Sequence, residues 1–180
     1  MKDKQKILKV GMVMLIVAVI IGMWLVKNPI SENQEPSGST EKLEGADFSL
    51  VVTEAVDFKA LAEYGLPIIV DYGSDSCIPC KEMAPVLEAM NKEYEGKAFI
   101  KFADVWKYYE AASNVPVMMI PTQVFFNADG TPFVPSPELQ KEIEFGMYYD
   151  EETKEHTFTT HVGGLTQEQF RMILDEMGVE

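Results

Sequence analysis

Apolar positions fall into one long block near the N-terminus and then into short runs separated by polar stretches. Val10 to Val26 contains no charge. With Ile7, Leu8 and the long stem of Lys9 the block reaches about 20 residues, enough to cross a hydrocarbon core. Further on, FSLVV (Phe48–Val52) predicts a strand. DFKALAEYG (Asp57–Gly65) predicts a helix, with Phe58, Leu61 and Ala62 at helical spacing and Gly65 as its stop. Ile68–Tyr72 is an almost unbroken apolar strand, the pattern of a strand covered on both faces. Met83, Val86, Leu87 and Met90 then recur at i, i+3, i+4 and i+7, which predicts a helix with one face on a core and a kink at Pro85.

Lys97–Trp106 and Thr122–Gly130 read as strands, the second closed by a turn signal, with KYYEAASN between them as a short helix or turn. GMYYDEETKEHTFTTHVGG predicts a hairpin turning around Glu151–Lys154. LTQEQFRMILDEMG predicts a closing helix with Thr166 as N-cap and Phe170, Ile173 and Leu174 as its apolar stripe. The order β-α-β-α-β, antiparallel strands, then a helix predicts an α/β domain with a mixed central sheet.

Charge divides the chain further. The net charge is −14, which excludes a basic face for nucleic acid. The acidic residues crowd the body, whereas the N-terminal end is basic, its lysines lying mostly before the apolar block. By the positive-inside bias the N-terminus stays in the cytoplasm and the remainder lies outside, with Trp24 at the far interface. The exit MWLVKNPISENQ has no small-x-small cleavage site, so residues 1–27 are expected to be an uncleaved signal-anchor. Cleavage is the alternative, and it too leaves the body outside. Residues 28–45, rich in Ser, Glu, Gly and Pro, read as a flexible acidic linker, and residues 46–180 as the folded domain. An extracytoplasmic compartment permits an oxidised cysteine pair.

Cys77 and Cys80 are the only cysteines in the sequence. A zinc site wants four ligands, and His156 and His161 lie far along the chain and five positions apart in an expected strand. Cu(I) would suit the thiolates together with Met118 and Met119, but Met83 and Met90 fit core packing and Met12, Met14 and Met23 fall in the apolar block. A structural disulfide across two residues closes so small a loop that it barely constrains the unfolded chain. A redox pair fits better: Cys77 opens the helix, where unpaired N–H groups favour a thiolate, Cys80 sits one turn on, and Pro79 is tolerated in the first turn.

The segment DYGSDSCIPCKEMAPVLEAM resembles the thioredoxin active-site segment, through its C-x-P-C-K run, the apolar strand before it and Ala84-Pro85. Ile120-Pro121-Thr122 in VMMIPTQVFF resembles the cis-proline loop of that family. HVGGLTQEQF resembles its final strand, glycine pair and closing helix. Residues 46–180 thus resemble a thioredoxin-fold domain. The resemblance implies Cys77 as nucleophile, Cys80 as resolving thiol, and a redox disulfide between them. It implies Asp71 as the buried acid that takes and returns the proton of Cys80. A carboxyl in an apolar strand is costly unless used, which gives that role independent physical sense. Lys101 matches a lysine near that acid. Pro121 would present the backbone of Met119 and Ile120 to a peptide that adds as an extra strand. No cofactor and no metal are implied. The sequence departs from the family at Ser76 and Gly73, where thioredoxins carry tryptophan, and at Ile78, where they carry glycine. It also carries a longer segment at about 131–157, with Glu138, Glu142, Glu144 and Asp150–Glu152 making an expected acidic lobe.

The expected function is a membrane-tethered thiol–disulfide oxidoreductase on the outer face of a bacterial cytoplasmic membrane. It would reduce protein disulfides in cell redox homeostasis, cytochrome c maturation included, and draw electrons from a membrane-embedded thiol-electron donor. Three readings compete: a disulfide-donating oxidase or isomerase, a Cu(I)-handling thiol protein, and a redox-inert adaptor using its acidic lobe.

Overall fold

The short apolar runs become six strands of one sheet. They are β1 (Val51–Val52), β2 (Ile68–Gly73), β3 (Phe99–Asp104), β4 (Thr122–Phe126), β5 (Gly146–Tyr149) and β6 (His156–Val162). The computed structural model describes residues 43–179. The apolar block Val10–Val26, with the expected anchor, and most of the expected linker lie outside the described residues. Among the described residues no helix is long and apolar enough to cross a membrane.

The spatial order is β1-β3-β2-β4-β6-β5. β1 and β2 run parallel to β3, and β4, β6 and β5 follow on the other side of β2, each antiparallel to its neighbour. The helices are α1 (Phe58–Ala62), α2 (Ile78–Glu93), α3 (Leu139–Glu142) and α4 (Gln167–Glu176), with a 3-10 turn at Tyr109–Ala112. The sheet is mixed, as expected.

β2 is central and buried at every position, which is why its sequence shows no polar alternation. Its side chains still alternate between the two faces. Ile69 packs with Met83, Leu87 and Met90 of α2 and with Phe170, Ile173 and Leu174 of α4. Ile68, Val70 and Tyr72 face the other way, with Phe99, Ala103 and Val124, under Phe58 and Leu61 of α1. Helix α2 continues through Pro85. Helix α4 opens on a full capping box between Thr166 and Gln169, worth about 1 kcal/mol.

The segment expected as an acidic lobe is partly core. Phe133, Leu139 and Ile143 are buried in the layer shared with α2 and α4, while Glu138, Glu142 and Glu144 stay exposed. Glu176 of α4 accepts hydrogen bonds from the Ser136 backbone and hydroxyl, fastening the segment down. β5 is the exposed edge strand.

Lys101 corrects one expectation. It pairs with Val70 while Asp71 pairs with Phe102, so strand alternation puts the lysine on the sheet face opposite Asp71. Its ammonium is buried and donates to the carbonyls of Asp47 (2.5 Å) and Ser49 (2.7 Å), with the Asp47 carboxylate at 3.8 Å. Burial holds its pKa below the usual lysine value, against the pull of Asp47. Lys101 therefore fastens the chain entering β1. Lys101→Met is expected to cost about 1–3 kcal/mol of stability in urea unfolding, because charge-assisted bonds to two carbonyls are lost. The titration of Asp71 should stay where it is.

Candidate active site

The C-terminal end of β2, the N-terminus of α2 and the start of β4 meet at one edge of the sheet. After Gly73 the chain makes a tight loop in which Cys77 N–H donates to the Ser74 carbonyl (3.1 Å) and Ser76 N–H to the Ser74 hydroxyl (3.2 Å). Asp104, at the end of β3, accepts from the backbone N–H of Asp75, Trp106 and Lys107, each at 3.0 Å. Burial pushes its carboxyl up, but those bonds outweigh it and hold the group below the usual range. One carboxylate thus sets the height at which the loop delivers the first cysteine.

Cys77 is the N-cap of α2, with extended backbone, no side-chain cap bond and Pro79 in the first turn. Its N-cap position leaves helix N–H groups near the sulfur. Both cysteines are free thiols; Cys77 is partly exposed and Cys80 is buried. Cys77 Sγ lies 4.0 Å from the Ile120 carbonyl, and the Ile120–Pro121 peptide is cis. Thr122 Oγ1 donates to the Met119 carbonyl (2.7 Å), and Gly163 N–H donates to the Pro121 carbonyl (2.9 Å). Gly163 has φ +123, a conformation that favours glycine. Met118, Met119 and Ile78 present exposed apolar side chains.

Asp71 sits behind the cysteines with no exposed surface. Its Oδ1 accepts from Gln123 Nε2 at 2.6 Å, and its Oδ2 has no hydrogen-bond partner among the described residues. Burial pushes the carboxyl up to about 7, while the Gln123 bond pulls it down. The Cys80 thiol is pushed up to about 12, first by burial and then by its hydrogen bond with Cys77; the charges of Cys77 and Asp71 add to this and the Ser74 backbone opposes it. Cys80 therefore keeps its proton at neutral pH unless a base removes it. Asp71 titrates where either protonation state is accessible.

Gly73 makes this packing possible. A Cβ there would stand 3.0 Å from Phe102 Cε2, 3.2 Å from Asp71 Oδ2 and 3.3 Å from Cys80 Cβ. A cleft of about 160 Å³ lined by Leu50, Ser74, Leu87 and Phe102 also reaches Cys80.

Cys77, Cys80, Asp71, Met119, Ile120 and Pro121 are thus brought together, and Lys101 is not. Two polar residues of the site were not read from the sequence. Gln123 interrupts the apolar run TQVFF just as Asp71 interrupts IIVDYG, so the same signal would have found it. Asp104 ends a strand, where a carboxylate is common and gives no signal.

A thioredoxin-type sheet carrying a helix-capping dithiol over a buried acid defines a thiol–disulfide oxidoreductase. The thioredoxin family model matches residues 49–142. Thioredoxins of Staphylococcus aureus strains Mu50 and MW2 are each 44% identical over 81 residues, covering 45% of this chain and 75% of their own length. Among solved structures, Fasciola hepatica thioredoxin aligns with 24% identity and a TM-score of 0.49, over 72% of this chain and 99% of its own. Malassezia sympodialis thioredoxin aligns with 20% identity and a TM-score of 0.46, over 72% and 91%. The chain belongs to the thioredoxin family.

Two outcomes follow from the site. Limiting iodoacetamide at pH 7.5 should alkylate Cys77 and spare Cys80, read by peptide mass spectrometry, because Cys80 is buried and holds its proton. Asp71 should also make the reduced protein less stable as pH rises. Its folded pKa is raised, so the folded state keeps a proton that the unfolded chain releases above about 4. Stability then declines through the window from about 4 to about 7, by on the order of 4 kcal/mol for this group. Asp71→Asn should match the wild type near pH 4 and be more stable at pH 8 in urea unfolding; an equal midpoint at pH 8 would contradict a raised carboxyl.

Proposed function

We propose that this chain is a membrane-tethered reductase of protein disulfides, acting on the extracytoplasmic side through Cys77 and Cys80. One observation carries the chemistry: a partly exposed thiol at a helix N-terminus, with a buried partner thiol and a buried carboxyl titrating near neutrality behind it. Cys77 attacks a substrate disulfide as the thiolate. A sulfur–sulfur bond forms to Cys77, and the other substrate sulfur leaves and takes up a proton. Asp71 then accepts the proton of Cys80, and Cys80 attacks Cys77 Sγ. The second substrate sulfur leaves with a proton, and the Cys77–Cys80 disulfide remains, so two electrons have passed to the substrate.

Substrate peptide would lie along Met119 and Ile120, adding its backbone beside the Pro121 loop. The Thr122 bond to the Met119 carbonyl supports this by fixing the segment. The apolar block Val10–Val26, the lysines before it and the polar tether support anchoring with the domain outside. In that compartment electrons must return across the membrane, and a membrane-embedded thiol-electron donor fits the need. The thioredoxin relatives favour the reducing direction over disulfide donation.

The test is capture in cells with the full-length Cys80→Ser variant, which should accumulate mixed disulfides that are released by dithiothreitol and missing from Cys77→Ser. A membrane-impermeant maleimide should label Cys77 of the reduced protein in intact cells. A potential for the Cys77–Cys80 couple near or above about −120 mV, the strong-oxidant end, would replace the reductase by a disulfide donor.

A further inference from the structure

We propose that Gln123 is a positioning residue for the resolving step: its carboxamide grips Oδ1 of Asp71, stabilises the carboxylate form and leaves Oδ2 facing Cys80. The inference rests on the reading of Asp71 as the proton acceptor for Cys80.

Gln123 is fully buried in β4, directly across from Asp71 in the antiparallel register, so both side chains emerge on the same face of the sheet. Its Nε2 donates to Asp71 Oδ1 at 2.6 Å and to the Gly163 carbonyl at 3.0 Å, with Met83 Sδ at 3.4 Å. Two acceptors lie on one side of the carboxamide, so its NH₂ end must face them. Its Oε1 has no partner among the described residues. A buried amide with an unsatisfied oxygen is unfavourable, and at this position an apolar side chain would pack without that cost. What the amide supplies is a donor to a carboxylate in an apolar setting.

The grip also selects which oxygen works. Oδ1 is occupied, whereas Oδ2 and Cys80 Cβ both lie within 3.3 Å of the point where a Cβ on Gly73 would stand. The bare oxygen and the resolving cysteine are thus neighbours across that glycine. The titratable group beside Asp71 is the Cys80 thiol of α2; β3 presents Phe102 there, β4 presents Gln123, and the chain after β6 presents the Gly163 carbonyl. Gln123 is therefore the donor that favours the ionised acid. Because Gly163 also binds the Pro121 carbonyl, the same amide ties the acid to the loop beside Cys77.

The experiment titrates the Asp71 carboxyl carbon by ¹³C NMR in the reduced full-length protein, for the wild type, Gln123→Met and Gln123→Leu. Both variants lack the donor but differ in shape, so a fold defect in one leaves the other. Loss of the donor should raise the Asp71 midpoint by about one pH unit or more. At pH 7 the ionised fraction then drops from about a half to about a tenth, and resolution of a Cys77 mixed disulfide slows about fivefold, with its pH profile displaced upward by the same amount. In an Asp71→Asn background, Gln123→Met should leave the rate profile unchanged. An Asp71 midpoint that stays within a few tenths of a pH unit in both variants overturns the inference. If Asp71→Asn alone keeps the wild-type rate profile, the proton-acceptor role fails instead, and the NMR midpoints still judge Gln123.

Discussion

Burying a carboxyl group is the constraint around which this site is arranged. An isolated buried carboxylate is costly enough that it ordinarily becomes neutral, and a fully paired one stays ionised. Asp71 lies between these limits, since Gln123 satisfies one oxygen and nothing described satisfies the other. A cation at that place would hold the acid permanently charged. The alternation of β3 turns Lys101 to the far face and puts the neutral ring of Phe102 beside Asp71 instead. The acid is left near its own midpoint, the condition a group needs if it is to take a proton and give it back.

The sheet makes that arrangement stiff. β2 is central, so its last residues are fixed by neighbours on both sides, and α2 starts only a few residues later. Asp104 brings the intervening loop to β3, and Gly163 brings the chain after β6 to Pro121. The ends of β2, β3 and β6, the start of β4 and one helix thus converge on two sulfurs. Little backbone freedom remains for the dithiol to lose when it closes to a disulfide.

Much of this was legible in the sequence, for identifiable reasons. Continuous apolar strands and the 3-4 spacing of Met83, Leu87 and Met90 depend on burial alone, and burial is what the pattern records. Cys77 and Cys80 stood out because a two-residue spacing has few other uses. Lys101 misled because the face of a strand residue depends on parity, which a family likeness does not fix to one position. The cluster of Phe133, Leu139 and Ile143 was hidden because its apolar residues follow no single period and sit among prolines and glutamates. Gln123 was hidden in plain view: a polar residue within an apolar strand points to a partner, but only register identifies the partner as Asp71.

Gly73 and Phe102 jointly occupy the space behind the dithiol, one by having no side chain and the other by filling what that leaves. The two positions are therefore not independent letters of the sequence. A Cβ at position 73 would press on Phe102, Asp71 and Cys80 at once, so the size of that one residue is coupled to how closely the acid and the resolving thiol can approach each other.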